Sequence, residues 1–285
     1  ELITYAAERN IMVIPEIDMP GHTNAALASY PELNCDDTSP DLYTGTRVGF
    51  STLCTKKEII YQFVDDVVRE ISQLTPGPYF HVGGDESHVT RHEDFIYFIN
   101  RVKMIINSYN KQMIGWEEIA YADIGDNDIV QFWYDIKDAK TGMEKGARVI
   151  FSPAPKIYLD MKYDSTTDLG LDWAAYIEVD SAYSWDPLEL IPEMNYQSVL
   201  GVEGPLWSET VTNLDEVEYL LFPRAIGLAE IAWSATQSRR WKEYKNRLGR
   251  QKERLEKLQV NYYRSDRVPW QEENPLFSID TLTSQ

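Results

Sequence analysis

The sequence is short of positive charge. It has 27 Lys and Arg residues against 46 Asp and Glu, which gives a formal net charge of -19 and a pI near 4.6. Nucleic acids and anionic membrane surfaces are bound through clustered Lys and Arg, so neither is expected as a partner. Neutral or cationic ligands are compatible with this charge.

Long apolar runs are also missing. No stretch approaches the roughly 20 apolar residues that span a bilayer, and residue 1 falls inside a helical pattern with no signal peptide before it. There is no internal repeat and no low-complexity linker. We therefore predict a single domain over residues 1–285, of which 43% are hydrophobic.

Cysteine is scarce, with two copies in the chain. Cys35 and Cys54 flank a loop rich in Asp, Ser, Thr, Pro and Gly. Two unrelated thiols in a reducing compartment would account for them, but their position around an irregular loop favours a disulfide. A disulfide would indicate a secreted or otherwise extracytoplasmic protein.

What the sequence does contain is one unusual stretch, residues 79–86, where an apolar aromatic run ends in two glycines and two carboxylates. The run predicts a buried strand, and the glycines allow a sharp turn and the close approach of a ligand. Because like charges disfavour joint ionisation, one of Asp85 and Glu86 is expected to hold a proton near neutral pH, as general acid catalysis requires. The simpler interpretation is a solvated acidic turn.

Strands alternate with helices along the chain. The predicted strands cover residues 11–18, 79–84, 112–117, 128–133, 148–152 and 199–204. The predicted helices cover residues 1–10, 25–30, 57–74, 95–109, 138–145, 216–233 and 241–258, and the tail after Asp266 is expected to dock loosely. This alternation is typical of parallel βαβ units, and the number of strands indicates a (β/α)8 TIM barrel.

Tryptophan is concentrated at strand ends and in loops, at Trp116, Trp133, Trp173, Trp185 and Trp207. Indole faces match the hydrogen-bearing faces of a sugar ring, and carboxylates such as Asp160 and Glu209 bind hydroxyl groups. This combination suggests a carbohydrate ligand. Trp233 and Trp241 are expected in the core.

Residues 81–86, His-Val-Gly-Gly-Asp-Glu, resemble the His-x-Gly-Gly-Asp-Glu signature of glycoside hydrolase family 20, the β-N-acetylhexosaminidases. Further segments are similar to that family in the same order, at residues 15–22, 114–118, 131–133, 156–163, 169–173, 183–187 and 204–209. The resemblance implies strands three to eight of the family's TIM barrel. Two earlier strands of that barrel have no counterpart in this sequence.

The resemblance also implies a retaining mechanism in which the substrate's own 2-acetamido group is the nucleophile. Glu86 would be the general acid and then the base, Asp85 would orient the acetamido nitrogen, and His22 would tune Glu86. Tyr158 would hydrogen-bond the acetamido oxygen. The implied substrate-binding residues are Trp116, Trp133 and Trp185 around the acetamido group, Trp207 against the ring, and Asp160 and Glu209 at the outer hydroxyls. The disulfide between Cys35 and Cys54 matches the bacterial exo-acting branch.

The expected activity is the release of terminal β-linked GlcNAc or GalNAc from glycans or chitooligosaccharides, with no cofactor and no metal. A lacto-N-biosidase of the same family is one alternative, and a noncatalytic sugar-binding remnant is another because of the two missing strands. A metal enzyme is the third, with ligands His81, Asp85, Glu86 and His88, and with His92 nearby. These side chains would alternate across a strand, and they lack the context of a His-x-x-x-His helix with an acidic base, which disfavours a metal site.

Overall fold

The computed structural model describes residues 1–191, 194 and 196–270. The chain forms two compact units, Glu1–Phe151 with Ile191–Gly201 and Ser152–Leu190 with Val202–Gln285. The prediction of a single domain stays a prediction, and most of the predicted C-terminal tail lies outside the described residues. Within the described part of the chain, no helix combines the length and apolar character that crossing a membrane requires.

A five-stranded sheet follows the order of the chain. Its strands are β1 (Tyr79–His81), β2 (Gln112–Trp116), β3 (Ile129–Phe132), β4 (Arg148–Phe151) and β5 (Val199–Val202). The pairs β1–β2, β2–β3 and β3–β4 are parallel. Parallel pairs need crossover connections. α4 (His92–Ser108) connects β1 to β2 and α5 (Ile136–Glu144) connects β3 to β4, which confirms the predicted βαβ units there, whereas the β2–β3 connection contains only a short 3-10 helix, Glu117–Tyr121.

Two long amphipathic helices cover the first strands. The helices of the first unit are α1 (Leu2–Ala7), α2 (Asn24–Ser29), α3 (Glu58–Leu74), α4 (His92–Ser108) and α5 (Ile136–Glu144). Val68 of α3, Phe98 of α4 and Phe80 of β1 are fully buried in one apolar cluster. Each such side chain contributes about 1.5–3 kcal/mol by leaving water. This core holds β1 and therefore the loop that follows it.

The predicted first strand, residues 11–18, is wrong as a regular buried strand. Its contact with β1 consists of one parallel bridge, Glu16 to His81, and hydrogen bonds on either side of it. Ile11 and Met12 are 58% and 53% exposed. Pro15 has no backbone N–H, and no strand of the described residues pairs with the outer edge, so a regular ladder does not form.

The second unit is mainly helical. Its helices are α6 (Ala154–Ile157), α7 (Val179–Tyr183), α8 (Pro187–Leu190), α9 (Leu214–Leu221), α10 (Arg224–Trp233), α11 (Trp241–Gly249) and α12 (Lys252–Lys257). Tyr163 stacks on Tyr263 and Tyr183 on Tyr244, with ring centroids 3.9 and 4.0 Å apart. These aromatic pairs lie in the core of this unit.

Three predictions in the second unit are corrected. The predicted helix 216–233 is broken before α10, where Pro223 lacks a backbone N–H for the helix ladder. The predicted helix 241–258 is broken after Gly249, where a Cβ would lie 2.2 Å from the Pro269 carbonyl oxygen. Trp233 is 90% exposed and so is not a core residue, because it is the last residue of α10. Trp241 does pack against the aromatic core.

Gly83 has two reasons to be glycine. Its φ is +67°, and a Cβ at this position would lie 1.8 Å from Asp18 Oδ1 and 2.7 Å from Asp18 Cα. We predict that Gly83→Ala lowers the free energy of unfolding by about 2 kcal/mol or more, because both the backbone conformation and the packing forbid a side chain. Urea unfolding followed by tryptophan fluorescence measures this change.

Gly201→Ala is the matched control, since a Cβ there would meet no atom within 4 Å. Its free energy of unfolding should stay within about 0.5 kcal/mol of that of the wild type. Equal midpoints for the two variants would contradict the packing of Gly83 against Asp18.

Candidate active site

The two adjacent carboxylates lie in a loop that begins where β1 ends. The parallel pairing with β2 continues past β1 in two hydrogen bonds, from Val82 N–H to the Ile114 carbonyl (2.9 Å) and from Trp116 N–H to the Gly83 carbonyl (2.8 Å). Gly83 and Gly84 then take positive φ values of 67° and 101°, and Glu86 takes +49°. The turn therefore places Asp85 and Glu86 at the carboxyl edge of the sheet, where a barrel active site is expected.

His22 brings the carboxylates together. Its Nε2 lies 3.4 Å from Asp85 Oδ2 and 3.3 Å from Glu86 Oε2. The hydrogen bond with Asp85, and next that with Glu86, raise the pKa of His22 to about 11. The imidazole is therefore a cation at neutral pH, and its charge offsets the repulsion between two carboxylates that both contact it.

Asp18 is a third carboxyl group in this cluster. Its Oδ1 accepts a hydrogen bond from Gly84 N–H (3.0 Å), and its Oδ2 lies 3.9 Å from His22 Nε2. Burial, followed by the charge of Asp85, raises the pKa of Asp18 to about 9. Asp18 therefore keeps its proton at neutral pH and can donate it to Asp85. Asp85 Oδ1 is buried with no hydrogen-bond partner among the described residues, which leaves an acceptor for a ligand.

The metal alternative can be compared with this geometry. Ligand atoms of Asp18, His22 and Asp85 lie within 4.8 Å of one another. This group shares only Asp85 with the metal-ligand set considered from the sequence. A metal ligand must be unprotonated, and the raised pKa values of Asp18 and His22 oppose that.

Two of the predicted tryptophans follow neighbouring strands in the first unit. Trp116 ends β2 and is buried, and its indole N–H donates to Glu16 Oε1 (3.0 Å). Trp133 directly follows β3 and is half-buried. Glu16 Oε1 also lies 3.2 Å from His81 Nδ1, so it connects the indole to the end of β1, just before the loop that carries Asp85 and Glu86. The sheet therefore brings Trp116 and Trp133 to the same edge as Asp85 and Glu86.

The second unit contains an aromatic group around Tyr158. Tyr158 is buried, and its ring meets Trp173 and Trp207 edge to face, with centroids 6.0 and 6.1 Å away. Trp173 and Trp207 are 52% and 36% exposed. Aromatic faces that remain open to solvent beside a buried phenol are suited to stacking on a sugar.

Asp160 and Glu209 are also neighbours in the second unit. Asp160 is 1% exposed, and neither carboxylate oxygen has a hydrogen-bond partner of standard geometry among the described residues. Burial, and to a smaller extent the charge of Glu209, raises the pKa of Asp160 to about 6. Glu209 itself is exposed. Buried acceptors that lack a hydrogen bond of standard geometry are typical of a site that hydrogen-bonds a polar ligand.

Trp185 differs from the other predicted tryptophans. It is 5% exposed, and its indole N–H donates to the Ala182 carbonyl (3.0 Å). Its own carbonyl accepts from Arg239 Nη1 (3.0 Å), and Arg239 also pairs with Asp186. These contacts indicate a packing role for Trp185. Trp173 is the more accessible indole beside Tyr158.

The predicted disulfide is present between Cys35 and Cys54, whose Cα atoms are 5.0 Å apart. The loop that it closes ends beside the loop that carries Asp85 and Glu86, since a Cβ at Gly49 would lie 2.4 Å from His88 Cδ2 and 3.2 Å from the Glu86 carbonyl oxygen. The Thr52 and Thr90 hydroxyls are also hydrogen-bonded (2.6 Å).

Some residues of this site were not identified from the sequence. Glu117 and Glu118 were seen only as part of a motif, yet Glu117 accepts the backbone N–H of Trp133 (2.7 Å) and Glu118 lies 3.4 Å from its indole nitrogen. The sequence signal that points to these two glutamates is the run Trp116-Glu117-Glu118, a tryptophan followed by two acidic residues at the end of a strand. Arg224 was missed as well, because nothing in its local sequence shows that it is buried.

Arg224 organises the segment that carries Asp160. It is 1% exposed and donates to carbonyls on both sides of that residue, at Leu159 and Met161, the latter at 2.8 Å. It also donates to the Leu220 carbonyl (2.7 Å), and its guanidinium lies 3.9 Å from the Tyr163 ring centroid. A buried cation thus satisfies several carbonyls that would otherwise lack donors.

We predict that Arg224→Met lowers the free energy of unfolding by about 3 kcal/mol or more, because it leaves those buried carbonyls without donors. Urea denaturation of the variant and of an exposed control, Arg250→Met, measures the effect. If the two variants unfold at the same urea concentration, the carbonyl network does not stabilise this unit.

Comparison with known proteins places this geometry in a family. The model of the catalytic domain of glycosyl hydrolase family 20 matches residues 1–236. A beta-N-acetylhexosaminidase of Cellulomonas fimi is 37% identical over 273 residues, which are 95% of this chain and 55% of that protein. A beta-hexosaminidase of Porphyromonas gingivalis is 29% identical, with 92% of this chain and 37% of that protein covered.

Solved structures agree with these relatives. The family 20 beta-N-acetylhexosaminidase of Streptomyces coelicolor A3(2) has a TM-score of 0.92 and 47% identity, over 95% of this chain and 56% of that one. A mutant Streptomyces plicatus beta-hexosaminidase in complex with product GlcNAc has the same TM-score, 0.92, and the same 47% identity. The chain spans about half the length of these proteins. It therefore belongs to glycosyl hydrolase family 20, and its parallel βαβ units are part of that family's catalytic TIM barrel.

Proposed function

We propose that this protein is an exo-β-N-acetylhexosaminidase that releases terminal β-linked GlcNAc or GalNAc by a retaining, substrate-assisted mechanism. The observation that carries the proposal is the arrangement of Asp85 and Glu86 around His22, with Asp85 Oδ1 left as a buried acceptor. Relatives named beta-N-acetylhexosaminidase and a relative holding product GlcNAc support the same activity.

The chemistry divides between the two carboxyl groups. Glu86 donates a proton to the leaving oxygen while the acetamido oxygen attacks the anomeric carbon, and it then removes a proton from the water that opens the oxazolinium ion. Asp85 Oδ1 accepts the acetamido N–H, which raises the nucleophilicity of the acetamido oxygen and stabilises the positive charge that develops. Both side chains contact His22, which holds them close to each other although their proposed roles differ.

Tyr158 is assigned the hydrogen bond to the acetamido oxygen, which holds that atom in position for attack and so raises its effective concentration. Trp116 and Trp133 are assigned to the walls of the acetamido pocket, and Trp207 to the sugar face. Trp185 fits the acetamido pocket less well than Trp116 and Trp133, because its indole N–H already donates a hydrogen bond to the Ala182 carbonyl.

Asp160 and Glu209 are assigned to the outer hydroxyls of the sugar. Their proximity, and the absence of a standard hydrogen bond to either Asp160 oxygen among the described residues, suit a pocket that ends at one monosaccharide. This favours an exo-acting hexosaminidase over a lacto-N-biosidase, which must accommodate a disaccharide. The substrates proposed are glycans or chitooligosaccharides with a terminal N-acetylhexosamine.

We also propose a secreted or extracytoplasmic location. The disulfide between Cys35 and Cys54 closes a loop beside the catalytic loop, and such bonds persist in oxidising compartments.

We predict that Glu86→Gln lowers kcat/KM for chitobiose by about 100-fold to 10,000-fold, because a sugar leaving group needs a proton. The same variant should lose much less activity on a 2,4-dinitrophenyl β-N-acetylglucosaminide, whose leaving group needs little protonation. Initial rates on the two substrates measure the difference.

Glu93→Gln, an exposed glutamate on α4, is the matched control and should leave both rates unchanged. An equal loss on both substrates in Glu86→Gln would show that Glu86 is not the general acid.

A further inference from the structure

Trp133 is held at two points by consecutive glutamates. Glu117 Oε2 accepts the backbone N–H of Trp133 at 2.7 Å and also accepts the next N–H, that of Tyr134, at 3.2 Å. Glu118 Oε2 lies 3.4 Å from the Trp133 indole nitrogen. One glutamate therefore fixes where the residue sits, and the other contacts the only polar atom of its side chain.

The neighbouring strand end repeats the arrangement. The Trp116 indole N–H donates to Glu16 Oε1 at 3.0 Å, and Glu16 belongs to the segment bridged to β1. Each of the two tryptophans is thus tethered by a glutamate from an adjacent segment. This repetition indicates that contacts with glutamate side chains fix the orientation of both indole rings.

Glu118 lies in an electrostatically unusual position. It lines a cavity of about 210 Å³ beside the loop that follows β1, together with Glu86, Ser87 and His88 among others. Burial, and next the charges of Asp85 and Glu117, raise the pKa of Glu118 to about 8. Its carboxyl group is therefore neutral at pH 6 to 7, and a glutamine there would keep both its shape and its charge.

We propose that Glu118 is a positioning residue that orients the indole of Trp133 and thereby limits the size of the N-acyl group that the protein accepts. This inference rests on the proposed function, in which Trp133 forms a wall of the acetamido pocket. The hydrogen bond restrains rotation of the indole about its bond to Cβ. Without it, the ring has one restraint fewer and can shift to make room for a longer acyl chain.

The size of the expected effect follows from pocket energetics. One additional methylene in a close-fitting apolar pocket changes kcat/KM by about 10-fold to 200-fold. The wild type should therefore prefer an aryl β-glucosaminide with an N-acetyl group over the N-butyryl analogue by about 100-fold or more. A variant in which the Trp133 ring is free to shift should lose most of this preference.

Two variants separate the hydrogen bond from packing. Glu118→Leu keeps the side-chain bulk but removes the acceptor, whereas Glu118→Gln keeps a carbonyl oxygen that can accept the indole N–H. Glu144→Gln, an exposed glutamate at the end of α5, is the control for a change that touches neither the pocket nor the sheet.

We expect Glu118→Leu to reduce the preference for the N-acetyl over the N-butyryl substrate at least tenfold at pH 6.5. KM for the N-acetyl substrate should rise, and kcat/KM for the N-butyryl substrate should increase. Glu118→Gln and Glu144→Gln should keep the wild-type preference. Adding Glu118→Leu to Trp133→Phe, which lacks the indole N–H, should cause no further loss. An unchanged preference in Glu118→Leu, or full additivity with Trp133→Phe, overturns the proposal.

A second measurement does not need turnover. With 5-fluorotryptophan incorporated, the ¹⁹F resonance of position 133, assigned by its loss in Trp133→Phe, should shift or broaden in Glu118→Leu and stay in place in Glu118→Gln. If the wild type hydrolyses neither substrate but the resonance responds in this way, the proposed function fails while the positioning of Trp133 stands. If the resonance is the same in wild type and Glu118→Leu, the positioning role is excluded.

Discussion

The structure of the first unit depends on placing three carboxyl groups around one imidazole. Asp18, Asp85 and Glu86 would repel one another if all were ionised, and burial makes that repulsion stronger. The raised pKa values of His22 and Asp18, about 11 and about 9, show how the cluster is accommodated: one group becomes a cation and another keeps its proton. Gly83 allows the close approach, since any side chain there would collide with Asp18. The motif at the end of β1 is therefore required for packing as well as for the proposed catalysis.

A second theme is that groups outside the Asp85–Glu86 pair are held by polar side chains of neighbouring segments. Glu117 and Glu118 contact Trp133, and Glu16 contacts Trp116, so the walls proposed for the acetamido pocket are anchored to neighbouring segments. In the other unit, Arg224 binds the carbonyls on either side of Asp160. A retaining reaction that uses the substrate's own acetamido group needs such order, because its nucleophile is positioned only by what surrounds it.

The sequence predicted the parts of this account that are local. The strand–Gly-Gly–Asp-Glu pattern predicted the loop that holds Asp85 and Glu86 at the end of β1, and amphipathic and apolar patterns predicted α3, α4 and β1 to β4. The sequence failed to predict features that depend on contacts with residues far away along the chain. Residues 11–18 look like a buried strand, yet their outer edge has no partner among the described residues. Trp233 has an apolar local context but ends its helix in solvent, and the roles of Glu118 and Arg224 depend on contacts made across the fold.

The central claim is that the substrate's acetamido group performs the displacement, with Asp85 and Glu86 as its partners. The most direct test is hydrolysis of 4-nitrophenyl β-N-acetylglucosaminide by this protein, with and without a thiazoline analogue of the oxazolinium ion. The account predicts turnover, competitive inhibition by the thiazoline, and no turnover of the matching β-glucoside, which lacks the acetamido group. Equal turnover of the glucoside, or hydrolysis of the N-acetyl substrate that is insensitive to the thiazoline, would contradict it.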